Sequence, residues 1–261
     1  MSAKTPTVAA LAVGLGIWLV AGDGAQTAAE ALEQLTQPTV QSSSQEQPAG
    51  SAQAQLESLP VKGRAPKTGY DRAEFGQAWS DAGTKGVLDG ARNGCDTRND
   101  ILRRDLTQVT IKPGSTGCVV TTGILEDPFT GQQISFERGP RSRVVQVDHL
   151  VSLSNAWHTG AQQLDEQQRL DLANDPLNLL AVDGAQNAAK GDSDAATWLP
   201  PTKSFRCEYV ARQIAVKARH QLWVTPPEKK AMSRVLTSCP GQPSGQTQQW
   251  TIPALSKDGT R

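Results

Sequence analysis

The stretch RVVQVDHLVSLSNAW, residues 143–157, runs as a β-branched strand to an acid and an imidazole side by side, Asp148 and His149. Histidine titrates near neutrality and can take a proton from water, while a carboxylate is a hard oxygen ligand for a divalent cation. Together they could activate a nucleophile beside a metal. Neighbours on a continuing strand point to opposite faces; a backbone that turns at the strand end would bring both into one cleft. Alone, such a dipeptide is more often structural than catalytic.

The downstream segment NDPLNLLAVDGAQNAAKGDSDAATWLPP, residues 174–201, adds the missing context. Asn178 precedes a short apolar strand, Asp183-Gly184 supplies a turn, and Asn187 opens a helix with Lys190 three residues on. This order of a strand ending in Asp-His, then a loop, an Asn-led strand and a helix carrying Asn resembles the ββα-metal core of HNH endonucleases. The likeness is closest to the exported HNH proteins of actinobacteria, related to the C-terminal nuclease domain of modification-dependent restriction enzymes. It implies that Asp148 and Asn187 are metal ligands, that His149 is the general base and that Asn178 fastens the connecting loop. Asn187 stands where the commonest HNH pattern has histidine, and no C-x-x-C pair is present for a structural zinc, which leaves the metal's identity open.

These residues need elements to hold them. Residues 71–81 and 96–106 are expected as short helices, the second capped by Asp96. CVVTTGILEDPFTGQQISFERG predicts two strands about a turn at Asp127–Gly131, and RVVQVDH a third. Further on come a helix at 166–174, a strand from Leu177 to Val182 and a helix start at Gln186–Lys190. Two longer helices follow, one over Ser204–Leu222 with Val210, Ile214, Ala218 and Leu222 on one stripe, and one after Thr225, where T-P-P-E is a capping box. The expected class is α+β: an HNH-like core with extra N-terminal and C-terminal helices, preceded by a disordered linker.

Composition sets the boundaries. Residues 8–22 form an apolar stretch of signal-peptide length, read as an export signal (residues 1–22) or, if uncleaved, a membrane anchor. Residues 23–66, rich in Ala, Gln, Ser and Pro, are expected to be a disordered linker, 67–240 the folded domain and 241–261 a flexible tail. The four cysteines are dispersed, which disfavours zinc and suits two disulfides in an oxidising compartment. Cys95–Cys118 and Cys207–Cys239 are the preferred pairs because each closes a modest loop, although three connectivities exist.

The net charge is zero, so no overall basic field announces a nucleic-acid binder. Charge is local: residues 203–234 are dominated by cations, and Lys190, Lys203, Arg206 and Arg212 are the candidate phosphate contacts. Of the remaining histidines, His158 is assigned to a loop or surface, and His220 to a helix C-terminus. The expected function is an exported, metal-dependent endonuclease using one Mg²⁺ or Mn²⁺ on nucleic acid, with DNA the expected substrate and no protein partner evident. The rival from another class is a non-catalytic exported binding module on the same scaffold.

Overall fold

The computed structural model describes residues 50–245 and 250–254, all within the unit Glu46–Arg261. The apolar stretch at 8–22 and most of the expected linker lie outside the described residues. Among those described, no helix is long and apolar enough to cross a membrane.

The elements run α1 (Ala52–Ser58), α2 (Thr97–Asp105), β1 (Leu106–Ile111), β2 (Val120–Glu126), β3 (Gln133–Glu137), β4 (Val145–His149), α3 (Leu153–His158), α4 (Glu166–Asn174), β5 (Leu179–Asp183), α5 (Gly184–Lys190), α6 (Arg206–Arg219) and α7 (Pro226–Thr237). The protein is α+β. Strands β1, β2 and β3 form an antiparallel sheet, and β4 and β5 a separate antiparallel ribbon with His149 opposite Leu179 and Asp148 opposite Leu180.

That ribbon is the middle layer, because both of its faces are apolar. One face presents Val145, Val147, Leu179 and Ala181 to a cluster with Ile101 and Leu102 of α2 and Leu106, Val120, Leu125 and Phe136 of the sheet. The other presents Leu180 and Val182 to a cluster built from α1, α6 and α7, including Leu56, Tyr209, Ile214 and Met232. A third cluster joins α3 and α4 to Phe75 and to Val216 and Leu222. Caps fix the helix starts: Asp96 accepts from Asn99 N–H, and Asp165 and Thr225 form reciprocal capping boxes with Gln168 and Glu228.

Four expectations need correction. Residues 71–81 hold only one 3₁₀ turn, Arg72–Phe75, because Gly76 leaves the helical region at φ 78° and Trp79 follows at φ 59°. Strand β1 was not anticipated; its alternation is blurred by register shifts about Gln108. The segment 50–66 is packed, not a tether: Ala52, Leu56 and Leu59 enter the core at i, i+4 and i+7 spacing, and the Trp223 indole donates to the Gly63 carbonyl. The tail returns as well, with Ile252 buried beside Gly90 and Trp250 against the Arg212 guanidinium at 3.7 Å. Disulfides join Cys95 to Cys118 and Cys207 to Cys239.

Candidate active site

Strand β4 continues through His149, so the Asp148 and His149 side chains leave on opposite faces of the ribbon. Asp148 shares its face with Gln146 and meets α5; His149 shares its face with Val147 and meets Trp79 and the end of α4. The expectation of a common cleft is therefore not met by the side-chain directions.

On the α5 side, Lys190 is buried and donates to Asp148 Oδ1 at 3.0 Å and to the His149 carbonyl at 2.9 Å. One helical turn earlier, the Asn187 amide donates to Gln146 Oε1 at 2.8 Å. Helix α5 thus meets β4 in two rungs, Asn187 on Gln146 and Lys190 on Asp148. Its start is equally tight: a Cβ on Gly184 would lie 2.1 Å from the Arg143 carbonyl oxygen, so only glycine lets the turn close there. Burial raises the Asp148 pKa above the ordinary carboxylate range, against the opposing pull of Lys190.

Asp148 Oδ2 is buried and has no hydrogen-bond donor. A bare carboxylate oxygen in such a place is costly, and a cation would satisfy it. Magnesium commonly takes one or two protein oxygens and completes its shell with water and phosphate, so Asp148 with the Asn187 amide oxygen fits its donor chemistry. Among the described residues there is no group of three or more His, Cys, Asp or Glu side chains that could hold a metal.

On the other face, His149 Nε2 lies 2.9 Å from the Ala173 carbonyl, which can only accept. The proton therefore sits on Nε2, and Nδ1 keeps its lone pair. The Trp79 indole stacks on the imidazole with centroids 5.8 Å apart and planes 17° from parallel. Burial, assisted by the charges of Arg72 and Lys190, lowers the His149 pKa to about 3, so the ring is neutral at pH 7. His149 lines a cavity of about 250 Å³ with Arg72, Phe75, Gly76, Trp79, Leu153 and Ala173. A fixed, neutral imidazole with a free lone pair in a cavity can act as a general base.

Asn178, just before β5, is fully buried. Its Oδ1 accepts from Val151 N–H at 2.8 Å, and its Nδ2 donates to the Val151 and Leu172 carbonyls, tying the loop after β4 to the end of α4. This is the geometry of a loop fastener.

The cationic candidates separate. Lys190 is spent on Asp148, and Arg212 is fully buried, donating to the Pro176, Leu177 and Leu179 carbonyls. Neither offers its charge to a ligand in this fold, because each satisfies interior oxygens that would otherwise be orphaned. Lys203 is exposed, and Arg206 is half-buried with Nε on the Pro200 carbonyl. His220 caps α6 and bonds Asp175 at 2.8 Å; His158 Nδ1 donates to the Ala65 carbonyl. The sequence reading missed Arg72, Trp79 and Ala173. The first two fell inside a segment read as a plain helix, and the third acts through its backbone, which no residue type announces.

Comparison with known proteins places residues 96–235 in the family described as GmrSD restriction endonucleases, C-terminal domain. An uncharacterized secreted protein of Arthroderma benhamiae is 37% identical over 193 residues, covering 73% of this chain and 86% of the relative. No solved structure matches the chain significantly.

Proposed function

The chain belongs to the family of GmrSD restriction endonuclease C-terminal domains, and on that premise we propose that it is an HNH-type nuclease hydrolysing phosphodiester bonds, with His149 as general base. The observation that carries this reading is the His149 tautomer: Nε2–H is committed to the Ala173 carbonyl, leaving Nδ1 unprotonated in a residue that lines the cavity. In the proposed step Nδ1 takes a proton from water, the water oxygen bonds to phosphorus, and the bond from phosphorus to the leaving 3′-oxygen breaks. A pKa of about 3 makes the resting imidazole a weak base, and the negative charge of a bound phosphodiester raises it toward a useful range.

DNA is the proposed substrate, and Mg²⁺ or Mn²⁺ the proposed cofactor, held by Asp148 Oδ2 and Asn187. When bound, the cation would supply positive charge to Asp148 Oδ2 on the α5 face, on the opposite side of the ribbon from the cavity that His149 lines. Asn178 holds the loop after β4, and Lys190 balances the second oxygen of Asp148. The secreted relative and the two disulfides support a site of action outside the cytoplasm.

One observation favours the binding-module alternative. Asp148 and His149 face apart, and Asp148 is already paired with Lys190, as in a purely structural strand. Incubating the full chain with supercoiled plasmid in Mg²⁺, Mn²⁺ or EDTA decides between them. Nicking in either metal and none in EDTA supports the nuclease; an intact plasmid under every condition leaves the module. Metal binding has its own readout: Mg²⁺ or Mn²⁺ should raise the thermal midpoint of the wild type but not of Asp148→Asn.

A further inference from the structure

We infer that Arg72 is the residue that grips the phosphate presented to His149, and that the segment carrying it is the substrate-binding wall of the cavity. This deepens the nuclease reading and rests on it. Arg72 and His149 line the same cavity, of about 250 Å³, and Arg72 acts electrostatically on the imidazole. Every other cation considered for this role either is engaged with interior oxygens, as Lys190 and Arg212 are, or is absent from that cavity, as Lys203 and Arg206 are. Arg72 is exposed and forms no ion pair among the described residues, although acids lie close in sequence. Asp71 spends its carboxylate on the Ala73 N–H, and Glu74 pairs with Arg169.

An exposed arginine lining a cavity together with His149, Trp79, Phe75 and Leu153 suits an anion that carries an apolar or planar group. The segment is held in place to do this. Phe75 is buried in edge contact with Trp157, and Trp79 is fixed at φ 59° over His149. A Cβ on Gly76 would lie 2.5 Å from Leu170 Cδ1, which sets the close approach of the segment to α4. Residues 72–79 precede the family-matched stretch 96–235, so this wall is supplied from outside it.

The test uses the full chain and a fluorescein-labelled 12-nucleotide single strand, followed by anisotropy in EDTA and, separately, by cleavage in Mg²⁺. Arg72→Gln should weaken binding about tenfold or more, lower the salt dependence by about one counterion, and leave the thermal midpoint in place. Arg72→Lys should recover part of the affinity, and Lys112→Gln, in the turn after β1, should change nothing. Equal binding by Arg72→Gln and the wild type overturns the inference even if His149→Ala abolishes cleavage, and so does a wild type that binds no oligonucleotide. Binding that depends on Arg72 without cleavage in any metal upholds the anion site and overturns the nuclease reading alone.

Discussion

Asp148 and His149, joined by one peptide bond, reach into different halves of the molecule: Asp148 toward Lys190 of α5, His149 toward Trp79 and the Ala173 carbonyl. Strand β5 holds them apart by extending its pairing to His149. The two side chains are thus held on opposite faces of one ribbon, with Asn178 fixing the loop at its end.

Replacing His149 with alanine should lower plasmid cleavage at least about 10²-fold, a typical general-base contribution, while far-UV circular dichroism stays unchanged. A folded variant cleaving at the wild-type rate in Mg²⁺ would remove His149 from the mechanism.

The same residue should leave a mark on acid stability. Its pKa is about 3 in the fold and returns to about 6.5 on unfolding, so between these values the unfolded chain binds more protons. Its contribution is complete above about pH 6.5 and is lost as pH falls toward 3. Denaturant titrations from pH 4 to pH 7 should show a flatter stability profile for His149→Gln than for the wild type. Parallel profiles would mean that the imidazole titrates normally in the fold.

Lys190→Met should cost about 3–5 kcal/mol, because it leaves the Asp148 carboxylate buried without its cation. Adding Asp148→Asn should recover part of that loss, which a double-mutant cycle by chemical denaturation measures. Additive losses would show that the two side chains do not interact.

Asn178→Ala removes one acceptor and two donor contacts, all buried, and should destabilise by about 3 kcal/mol. Amide exchange at Val151 should accelerate relative to that at Leu180 in β5. Unchanged protection at Val151 would deny Asn178 its fastening role.

Reduction of both disulfides should cost a few kcal/mol in total, chiefly through loop-closure entropy over separations of 23 and 32 residues. Non-reducing peptide maps should yield the Cys95–Cys118 and Cys207–Cys239 linked pairs; a Cys95–Cys207 peptide contradicts the fold.

What the sequence disclosed was what local chemistry encodes. The T-P-P-E box marks the start of α7 because its partners lie three residues apart. The residues around β4, β5 and α5 carry their order in the chain. What escaped depends on distant partners. Arg212 reads as one cation among many in a basic run, yet the carbonyls that hold it inside lie at 176–179. Lys190 looks like a surface lysine until α5 is laid on β4. Trp79 reaches His149 only because the helix breaks at Gly76, and α1 was hidden because three apolar residues were diluted in an Ala- and Gln-rich stretch.

The return of residues 250–252 to the core bears on biogenesis. Ile252 seats against Gly90, and Trp250 covers the Arg212 guanidinium, so contacts that seal the core near α2 and α6 come from residues made after all the helices and strands described above. A chain delivered N-terminus first can oxidise Cys95 with Cys118 early, but Arg212 stays open to water until residue 250 arrives. Folding therefore completes only after residues 250–252 have emerged, and a stop near residue 240 yields a product with its core unsealed.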